Sequence, residues 1–261
     1  MAEPVLELKN VTRYVNEGCN IFSDISFVVN EGDIVVLQGR SGSGKSTLLK
    51  CVAHLTLHKG ECLYRGSSPT TYGITSYRTK VLYVPQRSSL LPGSPHDFLT
   101  TITSLAAHKS TSRETPQDVF KRGLDISEQW GVDPELWARS WINLSGGESQ
   151  RILMAAALAL DTAEVLLLDE PTSALDSETS SMVESYLIDC VKNQGSSLKA
   201  IVWVTHSPEQ SRRVGTRFIY LSAGGCYESD DPSALSHSTS GLPSTPKLHS
   251  SAPSISSSRP A

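Results

Sequence analysis

Apolar positions along the chain fall into two regimes. Through residue 64 they form short strands parted by turn residues, at 5–8, 25–29, 34–38 and 62–64. From residue 81 onward the strand-like apolar runs are continuous and mostly β-branched or leucine-rich: 81–84, 165–168, 200–204 and 218–221. Runs of that kind predict parallel strands buried on both faces and joined by helices. Residues 94–160 differ, mixing polar and apolar positions at helical spacing and carrying Trp130, Trp137 and Trp141. They predict a helical insertion whose tryptophans pack its interior. The expected fold class is therefore α/β, a mostly parallel sheet with a small β-rich lobe in front and an inserted α-helical lobe.

The pattern stops near residue 229. From there to residue 261 the chain has 12 Ser and 5 Pro in 33 residues and no apolar period. Such a segment buries too little surface to offset the entropy of ordering it. The expected division is a folded domain over 1–228, with the helical lobe at about 94–160, and a disordered Ser/Pro-rich tail over 229–261. The longest apolar run, 152–160, has nine residues, whereas a membrane-spanning helix needs about 20. With 23 basic and 27 acidic residues, a net charge of −4, nothing favours a nucleic-acid partner. Five cysteines, an odd number without a C-x-x-C pair, suit a reduced, cytoplasmic chain. Neither end carries a secretory or lipidation signal, so membrane attachment is not expected from this chain by itself.

The sharpest local feature follows the strand at 34–38. Gly39, Arg40, Ser41, Gly42, Ser43, Gly44, Lys45, Ser46 and Thr47 spell G-x-x-x-x-G-K-S-T and lead into a helical run. Glycines let successive backbone N–H groups turn inward around an anion, and the helix N-terminus adds partial positive charge. Lys45 would reach the β- and γ-phosphates of a nucleoside triphosphate, and the Ser46 hydroxyl would ligate Mg²⁺. A second element fits that chemistry. The apolar strand 165–168 ends in Asp169 and Glu170, placing one carboxylate to act on Mg²⁺ and the next to hold and deprotonate an attacking water. Leu144-Ser145-Gly146-Gly147-Glu148 opens another helical run, a second anion site by the same dipole argument. Two such sites in one chain either fold together or serve one another across a dimer.

Together these residues resemble the nucleotide-binding subunits of ABC transporters, over most of residues 5–222. Leu144 to Glu148 resembles the family signature LSGG, Gln86 falls where the Q-loop glutamine lies, Ser173-Ala174-Leu175-Asp176 resembles the D-loop, and His206 matches the switch histidine. Tyr14 falls near the aromatic that stacks on adenine. The resemblance implies a P-loop NTPase fold with a RecA-like core, an N-terminal antiparallel β lobe and an inserted α-helical lobe. It implies ATP and Mg²⁺, the latter held by Ser46, Asp169 and Gln86, with Lys45, Gln86, Glu170 and His206 acting in hydrolysis. It implies also that Ser145, Gly146 and Gly147 of one copy meet the ATP of a second copy or a homologous ATPase subunit, the pair forming a clamp.

In the family the membrane pathway belongs to a separate transmembrane permease subunit, met by the region after the Q-loop. Here that is about 87–97, with the apolar stretch Leu90-Leu91-Pro92. A peripheral location on the cytosolic face of a membrane follows. The segments 165–176 and 202–206 look most similar to ATPase subunits of bacterial iron-export-type and plant aluminium-tolerance systems, which implies a metal-ion or small-solute exporter. The alternative is a soluble, clamp-type ABC ATPase of DNA repair or translation. Against it stand the 99 positions from Lys45 to Leu144 without heptads and the single nucleotide unit. His54 and His58, four apart, are not expected to bind metal, since no third ligand lies near.

Overall fold

A computed structural model describes residues 4–16, 19–87, 92–111, 114–222 and 224–230. In chain order the elements are β1 (Leu6–Asn16), β2 (Cys19–Val29), β3 (Ile34–Gln38), α1 (Lys45–Val52), β4 (Lys59–Tyr64), α2 (Pro69–Tyr72), α3 (Ile74–Lys80) and β5 (Val81–Val84). The inserted helices follow as α4 (Pro95–Ser104), α5 (Ala106–Thr111), α6 (Pro116–Glu128), two 3-10 turns (Pro134–Ala138 and Trp141–Asn143) and α7 (Gly146–Ala159). The chain then alternates through β6 (Val165–Asp169), α8 (Ser177–Lys192), β7 (Ala200–Val204), α9 (Pro208–Val214), β8 (Arg217–Ser222) and β9 (Gly225–Ser229).

Two sheets result. The larger has the order β5-β6-β7-β3-β8-β9, parallel from β5 to β8, with β9 antiparallel at its edge. The smaller is antiparallel, in the order β2-β1-β4. The period of two along a strand divides the larger sheet's side chains between two cores. Val36, Leu166, Leu168, Ile201 and Trp203 face the inserted helices. Val35, Leu37, Val165, Leu167, Val202 and Val204 face the antiparallel sheet and α1. Both faces are buried, which is why these strands read as unbroken apolar runs.

In the helical lobe α4, α6 and α7 each open on a capping box, Ser94 with Asp97, Thr115 with Asp118, and Ser145 with Glu148. Each pairs the backbone N–H groups that a helix start leaves free. Trp130, Trp137 and Trp141 are buried there as expected. Trp137 donates to Ser127 Oγ at 2.9 Å, and its ring lies so close to α6 that a Cβ on Gly123 would meet it at 2.9 Å.

The sequence reading is corrected at several points. β1 and β2 run for 11 residues each, well beyond 5–8 and 25–29. Register shifts at Leu8/Val11, Val11/Arg13, Arg13/Tyr14 and Tyr14/Asn16 break the alternation that would have revealed the full strands. The edge strand β9 and the short helices α2 and α3 add to the elements that the pattern predicts. α1 ends at Val52, and His54 adopts a left-handed φ of 56°, so His54 and His58 share no helix face. No helix among the described residues is long and apolar enough to cross a membrane. The expected tail lies outside the described residues from 231 onward, as do residues 88–91 of the expected docking stretch.

Candidate functional site

The phosphate-loop sequence closes the C-terminal end of β3. Gly44 caps α1 with φ 92°, and a Cβ there would meet Ile21 Cγ2 at 2.5 Å and Phe22 Cδ1 at 2.9 Å. Only glycine fits both that backbone and that gap. The loop thus packs against β2 while its outer side stays open. Ile21, Ser41, Gly42, Gly44, Lys45, Ser46, Thr47, Glu170 and His206 line a cleft of about 410 Å³. Lys45 is buried and lies back on the loop, its Nζ donating to the carbonyls of Gly39 at 3.0 Å and Arg40 at 3.2 Å. Burial lowers its pKa, while Glu170 and Asp169 partly oppose that shift. The Ser43 hydroxyl is buried with no hydrogen-bond partner among the described residues. A cationic side chain that carbonyls alone satisfy and an unpartnered hydroxyl suit an anion in the loop.

Parallel strand order brings the carboxylates to the same end. β6 ends at Asp169, which accepts from Ser46 Oγ at 2.9 Å on one oxygen and from Tyr83 Oη at 3.0 Å on the other. Glu170, one residue on, has a left-handed φ of 49°. That backbone turns its carboxylate out of the sheet, where Gln86 Nε2 donates to Oε2 at 2.7 Å and His206 Nε2 lies 3.0 Å from Oε1. Gln86 follows β5 and His206 follows β7, the two strands flanking β6. Five expected residues therefore gather in two linked sets, Ser46 with Asp169 and Gln86 and His206 with Glu170, the neighbouring carboxylates joining them and Lys45 adjacent to Ser46.

Ser46 and Asp169 present two hard oxygen donors side by side, and no group of three or more His, Cys, Asp or Glu able to hold a metal gathers among the described residues. That donor set fits Mg²⁺, which takes one or two protein oxygens and completes its shell with phosphate and water. Gln86, expected as a further ligand, points its amide nitrogen at Glu170.

Tyr14 is not among the residues that line the phosphate-loop cleft. β4 lies across β1 from β2, and the Tyr14 ring carries the Lys59 ammonium 4.9 Å from its centroid. The cleft wall on this side is formed by Ile21. Ser145, Gly146 and Gly147 also stand outside the cleft of their own chain. Ser145 Oγ accepts from Glu148 N at 3.3 Å, while Glu148 accepts from Ser145 N at 2.7 Å. Ser145 and Gly146 are exposed, and a Cβ on Gly147 would meet the Ala174 carbonyl at 3.0 Å. Two residues of the site escaped the sequence reading. Tyr83 lies within an apolar run, where its phenol was the one signal of a polar partner. Gln150, buried on α7, was a polar residue at the head of a long apolar run.

Residues 22–173, more than half of the chain, match the family model described as ABC transporter. The chain is 33% identical over 208 residues, 79% of its length and 87% of the relative's, to the Escherichia coli protein named probable iron export ATP-binding protein FetA. It is 29% identical over 235 residues, 87% of its length and 83% of the relative's, to a phosphate import ATP-binding protein of Shouchella clausii. Among solved structures it is similar to a dimeric ATP-binding cassette in a post-hydrolysis state bound to ADP and Pi, with a TM-score of 0.73 and 28% identity over 86% of this chain and 97% of that one. With the phosphate loop, the paired carboxylates and the separate capped glycine helix in one α/β chain, these matches make it an ATP-binding member of the ABC transporter family.

Proposed function

We propose that this chain hydrolyses ATP as the motor subunit of a transporter, driving a separate transmembrane permease and working in a pair with a second copy or a homologous ATPase. The carrying observation is the Glu170 carboxylate, held between Gln86 and His206 at the edge of the phosphate-loop cleft. Lys45 leaves the Gly39 and Arg40 carbonyls for the β- and γ-phosphates, and the backbone from Ser41 to Thr47 supplies N–H donors. Ser46 and Asp169 would hold Mg²⁺, which when bound neutralises charge across the β- and γ-phosphates. Glu170 accepts the proton of the attacking water. Each of its oxygens has one partner here, Gln86 or His206, and the remaining lone pairs are free to accept from the attacking water. His206 then faces the transferring phosphoryl, and catalysis is positioning plus charge stabilisation.

The exposed Ser145 cap, outside its own cleft, is what a second copy's γ-phosphate would meet. Hydrolysis removes the anion that joins the two copies, which opens the clamp. The permease would dock along about 87–97. The cargo we propose is a metal ion or small solute moved outward, a reading supported by the 33% identity to the iron-export protein. The soluble clamp-type alternative gains nothing from relatives named as transporter proteins. The test is a detergent pull-down with Glu170→Gln and ATP, followed by identification of what co-purifies. A transmembrane protein that raises the wild-type ATPase rate on reconstitution is expected. Recovery of only ribosomal or DNA-repair proteins would overturn the transporter reading.

A further inference from the structure

One side chain outside the expected set touches the segments that carry Gln86, Glu170 and Ala174 at once. Gln150 lies on α7, is 5% exposed, and uses both ends of its amide. Nε2 donates to the Glu170 carbonyl at 2.9 Å and to the Gln86 carbonyl at 3.2 Å, while Oε1 accepts from Ala174 N at 3.1 Å. Only one orientation of the amide satisfies two carbonyls and one N–H, so the assignment of its nitrogen and oxygen is fixed by its partners.

The contact with Glu170 falls where the backbone needs it. A non-glycine residue with φ near 49° occupies a costly region that persists only where surrounding bonds over-determine it. Glu170 N donates to Val204 O at 3.1 Å, and its carbonyl accepts from both Gln150 Nε2 and Ser173 N, the latter at 3.2 Å. Of these three bonds only the one from Gln150 comes from a side chain. The same amide fixes the peptide of Gln86, whose own side chain reaches the Glu170 carboxylate.

We infer that Gln150 is a positioning residue for hydrolysis: its amide holds Glu170 in the left-handed conformation that aims the carboxylate between Gln86 and His206. The inference deepens the proposed function and rests on Glu170 acting as the base. It also gives the site a mechanical link. Gln150 sits five residues after Ser145 on one rigid helix, roughly 7.5 Å along its axis. Pressure on the Ser145 cap from a second copy's nucleotide is therefore transmitted to the base and, through Ala174, to the D-loop.

The experiment is a double-mutant cycle on the full chain, Gln150→Met against Glu170→Gln. It is read by single-turnover phosphate release, fluorescent-ATP titration and thermal unfolding. Gln150→Met keeps the side chain's length and removes all three bonds. It is expected to lower the hydrolysis rate about 10–100-fold, the scale of a misplacement near 1 Å, with ATP affinity changed less than about twofold. In the Glu170→Gln background it is expected to cause no further loss. Equal losses in both backgrounds, or a wild-type rate for Gln150→Met, overturn the positioning role. A wild-type rate for Glu170→Gln alone refutes the base assignment instead, and the two failures are thus distinct. Should Gln150→Met not fold, Gln150→Glu takes its place, keeping the acceptor for Ala174 and losing both donors, with the same pattern expected.

Discussion

Replacing Gly44 by alanine tests how the phosphate loop is built. Its φ of 92° costs an alanine about 1–2 kcal/mol. The new methyl would also sit 2.5 Å from Ile21 Cγ2 and 2.9 Å from Phe22 Cδ1, and overpacking of that kind costs about 1–3 kcal/mol. The loss is about 2–5 kcal/mol in all. For a domain of this size that lowers Tm by on the order of 10 °C. Gly32 provides the control, since its φ is 89° but nothing lies within 4 Å of its Cβ position. Gly32→Ala should cost only about 1–2 kcal/mol, a few degrees. If the loop shifts to relieve the clash, the remainder appears as weaker nucleotide binding, about 30-fold for each 2 kcal/mol. Thermal unfolding and fluorescent-ATP titration of both variants separate the two routes. A Gly44→Ala protein no less stable than Gly32→Ala, with unaltered ATP affinity, would refute the packing of the loop on β2.

Lys45→Ala should weaken ATP binding about 10–100-fold, the worth of a charge-assisted hydrogen bond of 1.5–3 kcal/mol, measured by the same titration. Because burial lowers the Lys45 pKa below its ordinary 10.5, the unfolded chain holds this proton to higher pH than the folded one. In that window stability of the nucleotide-free protein rises with pH, while ATP affinity falls as the ammonium is lost, and Lys45→Ala removes both slopes. Tyr83→Phe deletes the donor to Asp169 Oδ2 and should raise the Mg²⁺ concentration needed for half-maximal ATPase activity about 10-fold. An unchanged Mg²⁺ requirement would remove Tyr83 from the site.

Much of this site can be read in sequence because its parts are local. A strand, a glycine loop and a helix start are contiguous from 34 to 52, and the carboxylates end an apolar strand. Serine, two glycines and glutamate at a helix start are likewise contiguous in sequence. What brings Gln86, Glu170 and His206 together is the order β5-β6-β7, which no local pattern carries; the family resemblance supplied the three residues but not the strand order that joins them. The full length of β1 is hidden because its register shifts leave no period to count. Gln150 and Tyr83 act through one polar tip each, and on an apolar element that tip is outvoted by its neighbours.

The central claim is that Glu170 spends ATP held between two copies of this site. The most direct measurement is the mass in solution of Glu170→Gln and wild-type chains with Mg²⁺ and ATP, by size exclusion with light scattering, alongside phosphate release. The account predicts that Glu170→Gln binds ATP normally, hydrolyses it roughly 10²–10⁴-fold more slowly, and persists as an ATP-dependent dimer where the wild type returns to monomer. A Glu170→Gln chain that turns over ATP at the wild-type rate would contradict it, and one that stays monomeric at saturating ATP would contradict pairing between identical copies.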